Sequence, residues 1–185
     1  MTRIEGPPEI IARLADAGIR SVADVLEAST CTRDLPDRSN HILEAAGLTA
    51  EQRTAAFETL AGITARLHDA GLHHRDLYLC HIFMRFEDGR AAAALIDLER
   101  LGTHRRPLGR RVVKDLAAIR SSLPEGTTTP EERRRFLARY LELRGLDPDV
   151  LDKLHRRVRR KAARIRAHVP RTPVGEAARP KDDDA

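Results

Sequence analysis

The stretch from Leu72 to Asp97 constrains the fold of this chain most, because the helical period that governs the rest of it stops there. LHHRDLYLCHIFMRF carries no helical apolar stripe, and Ile82–Phe86 reads as a short strand. Asp88-Gly89, flanked by Glu87 and Arg90, is the residue pair of a two-residue hairpin turn, and AAAALID supplies the return strand. On both sides the pattern is helical. Thr49 and Gln52 make a capping box; Ala56, Leu60, Ile63 and Leu67 then recur at helical spacing, and Gly71 suits the position just past the helix end. A basic loop (residues 104–111) leads to helices around Val113–Leu123 and Glu131–Leu143. A last helix starting at Pro148 places Leu151, Leu154, Val158, Ala162, Ile165 and Val169 on one face. Near the start, Pro7-Pro8 opens a helix with Ile10, Ile11 and Leu14, which Gly18 ends. A short apolar stretch through Val22, Val25 and Leu26 and a loop from Thr30 to Asn40 follow. The expected class is α+β, mostly helical, with one small hairpin. The expected division is a short helical segment (1–48), a main unit (49–171) and a disordered tail (172–185).

Composition narrows the function classes. Hydrophobic residues make up 41% but aromatic ones only 3%, with no Trp, so the core must be Leu, Ile, Val and Ala. Lys plus Arg number 33 against 28 Asp plus Glu, a net charge of +5 that suits an acidic partner: phosphate, nucleic acid or an anionic membrane face. No apolar run is long enough to span a bilayer, and MTRIEGPPEI lacks the apolar core of a signal peptide. Two cysteines, Cys31 and Cys80, build no disulfide scaffold and fit a reducing cytoplasm.

The chemistry-bearing residues sit on the hairpin and its approach. His74-Arg75-Asp76 follows a long helix, His81 stands five residues after Asp76, and Asp97 ends the second strand in LIDLE. Protein kinases show H-R-D-x-x-x-x-N followed by D-F-G in this arrangement. There the first Asp orients the substrate hydroxyl, while the Asn and the second Asp hold metal ions that bridge the phosphates. Two acidic groups on adjacent loops, joined by a hairpin and about twenty residues apart, deliver that geometry.

HHRDLYLCH, LIDLER and KDLAAIRSSL together resemble the lipopolysaccharide core kinases, the Kdo and heptose kinases of Gram-negative bacteria. ARLHDAGLHHRD, FLARYLELRGL and the Arg-rich last helix are similar in style, so the resemblance runs over about residues 55–170. It implies a protein-kinase-like C-lobe and ATP-dependent, Mg²⁺-assisted phosphorylation of a sugar hydroxyl on a lipopolysaccharide acceptor. The setting would be the cytoplasm, peripheral at the inner face of the inner membrane. Carried across, Asp76 is the catalytic aspartate within the His74-Arg75-Asp76 triplet, and His81 takes the Asn position at the cofactor. Asp97 is the metal aspartate, and Arg75 and Asp115 brace the loop. Magnesium prefers oxygen ligands, so His81 is better suited to orienting Asp76 or a phosphate oxygen.

The departures are equally plain. No Gly-x-Gly exists, the first lysine is Lys114, and only 75 residues precede Asp76, so the N-lobe of a complete kinase is reduced or missing here. A rival reading is therefore an inactive pseudokinase or fragment that binds a partner or anionic surface. His68, His73, His74, Cys80 and His81 cluster in sequence without zinc-ligand spacing; Cys80 reads as a small buried residue. The last helix carries eight Lys or Arg between positions 153 and 166 against Asp152. That is either a solvated face or a contact for anionic lipid headgroups or a phosphorylated glycolipid. Nucleic acid is disfavoured, for want of aromatic stacking residues and of any recognised binding motif.

Overall fold

The structure is a computed structural model, and it describes residues 8–19, 48–87, 90–124 and 126–168. The expected features around Val22–Leu26, Thr30–Asn40, the Asp88-Gly89 turn, Val169 and the tail lie outside those residues. Five α-helices are described: α1 (Pro8–Asp16), α2 (Ala50–Asp69), α3 (Arg110–Ser122), α4 (Pro130–Leu143) and α5 (Leu151–His168). Strands β1 (Leu72–His73) and β4 (Gly102–Thr103) pair antiparallel, as do β2 (Ile82–Glu87) and β3 (Arg90–Leu95). The fold is thus mostly helical with two small two-stranded sheets.

Local chemistry accounts for the element ends. Thr49 and Gln52 form the reciprocal capping box of α2, and Thr129 and Glu132 form another on α4, with Pro130 at its first turn. The second box, in TPEE, was equally legible. Gly71 takes φ +72° just past α2 and Gly18 takes φ +62° past α1, conformations that glycine adopts without a Cβ penalty. In the hairpin, Ile82 faces Leu95 and Glu87 faces Arg90, a register that leaves two residues for the turn. Alanine is a poor strand former, yet β3 is nearly all alanine. Its short side chains let α2 lie close, and the Thr59 hydroxyl donates to the Ala91 carbonyl at 3.1 Å.

The core is aliphatic, as the composition requires. Ala56, Leu60, Ile63 and Leu67 of α2 are all buried, together with Leu116 of α3, Leu137 and Leu141 of α4, and Leu154 and Val158 of α5. Tyr140 and Phe136 are its buried aromatics among the described residues. Leu14 and Ile19 at the first helix join the same cluster. The most extensive helix pairing is α3 with α5, while α2 packs between β3 and α4. Arg166 of α5 donates to the carbonyls of Arg120, Ser121 and Leu123, satisfying the open C-terminal end of α3.

Candidate active site

The loop from His74 to Tyr78 is held from beneath by one carboxylate. Asp115, fully buried on α3, accepts from the His74 backbone N–H at 2.6 Å and from the Arg75 N–H at 3.0 Å. His68 of α2 lies 3.4 Å from the same carboxylate through Nε2, and its Nδ1 meets the Tyr140 hydroxyl at 2.8 Å. Arg144 donates to that hydroxyl at 2.5 Å and to Asp69 at 2.7 Å. The directions are set by the ends of the chain. The carboxylate only accepts, so His68 carries its proton on Nε2; its Nδ1 accepts from Tyr140, whose oxygen accepts from Arg144. Burial pushes the His68 pKa down and the Tyr140 phenol up, so the first stays neutral and the second stays a donor.

Above this brace the backbone takes two uncommon turns. Arg75 has φ +75° and Asp97 has φ +56°, the non-glycine residues with positive φ among those described. Such conformations persist where surrounding contacts over-determine them, and they concentrate at functional sites. Close packing contributes: a Cβ on Gly102 would sit 2.6 Å from His73 Cε1 and 3.1 Å from an Arg75 guanidinium nitrogen. His74 turns inward and donates from Nε2 to the Ile96 carbonyl at 2.9 Å, tying the loop to the residue before Asp97. Burial lowers its pKa, and its Nδ1 has no hydrogen-bond partner, which fits a neutral ring.

His81 lies between the Asp76 loop and the Asp97 carboxylate. Its Nδ1–H donates to the Asp76 carbonyl at 2.6 Å, which leaves Nε2 facing the Asp97 carboxylate at 3.7 Å. The ring also stacks on His74, with centroids 5.7 Å apart. Asp76 itself pairs with Arg100, and Lys114 Nζ stands 3.5 Å from its other oxygen. Sequence reading passed over Arg100 and Lys114 as site residues. Their signals were present, Arg100 three residues after Asp97 and Lys114 beside Asp115 as the first lysine of the chain.

Cys80 is a correction. It is exposed, not buried, because the 3₁₀ turn Leu79–His81 buries Leu79 and turns the next residue outward. Partial burial and nearby Asp97 hold its thiol above its ordinary pKa, so it is no activated nucleophile. Among the described residues no group of three His, Cys, Asp or Glu side chains could hold a metal ion. A magnesium ion at Asp97 would take one carboxylate here and its other ligands from phosphate oxygens and water, the usual sharing for that ion. The donor set fits on those terms.

A catalytic-type loop braced by a buried helix aspartate, a hairpin, and a second aspartate in left-handed conformation define a protein-kinase-like C-lobe. The model of the lipopolysaccharide kinase (Kdo/WaaP) family matches residues 7–140, well over half of the chain, and the chain belongs to that family. It is 33% identical over 92 residues to the lipopolysaccharide core heptose(I) kinase WaaP of Pseudomonas aeruginosa. That match spans 48% of this chain and 34% of the relative, so the chain covers about a third of that protein's length. A solved structure of WaaP in complex with acyl carrier protein shares the fold, with a TM-score of 0.63 at 23% identity over 85% of this chain and 74% of that one.

Proposed function

We propose that this chain carries the catalytic loop of an ATP-dependent phosphotransferase acting on a sugar hydroxyl of a lipopolysaccharide core acceptor. One observation carries the reading. A single imidazole, His81, donates to the Asp76 backbone carbonyl and lies 3.7 Å from the Asp97 carboxylate, so the Asp76 loop and the end of the hairpin meet at one ring. Asp76 orients the acceptor hydroxyl and takes its proton; Asp97 holds Mg²⁺ through oxygen; His81 positions both. Bound Mg·ATP would supply the transferred phosphoryl group. Arg100 and Lys114 place positive charge where the phosphates' negative charge would gather, the kind of electrostatic help phosphoryl transfer relies on. The family supports the acceptor class. It also supports a site of action in the cytoplasm, at the inner face of the inner membrane; among the described residues no helix is long and apolar enough to cross it.

The test is Mg·ATP-dependent transfer of labelled phosphate to deacylated core oligosaccharide. Asp76→Asn and Asp97→Asn should each lower the rate by at least about 10²-fold, the scale of a lost acid–base or metal-holding group. Full activity in either variant overturns the assignment. A second reading, a binding module without transfer, is favoured by the Asp76 carboxylate being already paired with Arg100 and approached by Lys114. Melting curves separate the two. Mg·ATP at about 100 times its Kd stabilises by roughly 2.7 kcal/mol, and a shift that Asp97→Asn removes supports the enzyme.

A further inference from the structure

Between the first half of α3 and the middle of α5 runs an open groove of about 490 Å³. Eight of its ten lining residues are Arg or Lys, and none is acidic. Arg110 and Lys114 come from α3; Arg160, Lys161 and Arg164 come from α5; Arg75 comes from the catalytic loop. Elsewhere on the described surface several arginines are matched with carboxylates. Arg53 meets Glu132 at 2.6 Å, Arg139 meets Glu58 at 2.6 Å, Arg144 meets Asp69 at 2.7 Å, and Arg134 pairs with Asp152. In the groove, Arg110, Arg160, Lys161 and Arg164 have no side-chain hydrogen bond or ion pair to any described residue. Like charges converging on one concavity repel one another, and among the described lining residues only Lys114 has a carboxylate, that of Asp76, within ion-pair distance.

The groove is continuous with the site. Arg75 precedes Asp76, and Lys114 Nζ lies 3.5 Å from the Asp76 carboxylate. An anion seated among these cations would therefore hold the rest of its molecule against Asp76. A concave wall of one sign focuses the field and concentrates anionic ligands, and guanidinium forks match phosphate and carboxylate oxygens two at a time. The volume is in the range of sites that enclose small molecules.

We propose that this groove binds the anionic groups, phosphate or sugar-acid carboxylate, of a saccharide acceptor carrying two or more of them, and so sets which hydroxyl reaches Asp76. The inference rests on the reading of Asp76 as the acceptor-orienting carboxylate. A membrane fits less well. The wall is concave, and Leu154, Val158 and Ala162, the stripe a surface helix would insert into lipid, are buried against the core. Single-stranded nucleic acid fits less well because the lining holds no Phe, Tyr or Trp on which bases stack.

The experiment is calorimetric titration of the protein with deacylated, phosphorylated core oligosaccharide, with a neutral maltooligosaccharide of equal length as control. The anionic probe should bind, weaken as salt rises, and bind at least ten times more weakly to Arg160→Gln/Arg164→Gln. Arg156→Gln/Arg159→Gln removes the same charge from exposed positions of α5 outside the groove and should change affinity less than twofold. Thermal melting of both double variants verifies that each is folded. Equal losses in the two, or equal binding of the neutral probe, overturn the proposal. Binding to vesicles of anionic phospholipid with none to the oligosaccharide also overturns it, in favour of a membrane contact. The same variants in the transfer assay separate this inference from the activity it rests on. A raised KM for the oligosaccharide with kcat kept supports the groove; an unchanged KM in an active enzyme refutes the groove alone. Groove-dependent binding without any transfer refutes the phosphotransferase and leaves the groove standing.

Discussion

Two sets of aspartates serve one loop in opposite ways. Asp115 is wholly buried beneath it and spends its oxygens on the His74 and Arg75 amides and on His68. Asp76 and Asp97 stand at the rim, with 17% and 41% of their side chains exposed. Asp76 is met by long cations from elsewhere in the fold, Asp97 by the imidazole of His81. The buried acid is committed to holding strained backbone in place. The rim acids touch groups that can rearrange when a ligand arrives. Buried support and accessible charge are thus divided between carboxylates that lie within forty residues of one another.

Asp115→Ala should break that division most visibly. It strips two buried amides of their acceptor, at roughly 1–3 kcal/mol each, and opens a cavity besides. At about 2–4 °C per kcal/mol for a chain of this size, the melting temperature should fall by roughly 10 °C or more. Asp76→Asn should shift it by no more than about 2 °C, since an ion pair with a largely exposed arginine contributes little. If the two variants melt alike, the comparison fails.

A pH scan sharpens it next. Burial lowers the pKa values of His68, His73, His74 and His104 from the ordinary value of 6.5. Below that value the unfolded chain takes up protons that the folded chain refuses, so stability is full above it and declines as pH falls. Melting temperature should hold between pH 8 and 7 and drop by several degrees toward pH 5.5. A flat profile would mean that these rings are not kept neutral by the fold. A narrower probe of the brace is Tyr140→Phe, which leaves His68 Nδ1 without its donor at about 1–2 kcal/mol. It should lower the melting temperature by about 3–6 °C and leave kcat within about twofold, because the brace keeps its carboxylate. A large loss of kcat at unchanged melting would move Tyr140 from the brace to the site.

Much of this was legible along the chain, and for a physical reason. The capping box at Thr49, the stripe Ala56–Leu60–Ile63–Leu67 and the hairpin register follow from period and turn chemistry among residues close in sequence. So did the positions of Asp76 and Asp97, which the hairpin links. Cys80 was misread because a three-residue 3₁₀ turn leaves no periodic trace in composition. His68 was read only as one of a run of histidines without zinc-ligand spacing, whereas its partner Tyr140 lies 72 residues away.

The sequence alone therefore determined the helices, the hairpin, the aliphatic make-up of the core and the placing of Asp76 and Asp97 on either side of that hairpin, all properties of neighbours on the chain. Tertiary packing decided the rest. The seating of α3 under the loop brought Asp115 to its amides and Lys114 to Asp76. Laying α5 against α3 turned a run of arginines, which on a lone helix is only a charged face, into one wall of a groove. Such pairings join residues 38 to 46 positions apart. They depend on how whole helices bury their apolar stripes against one another, which no local period records.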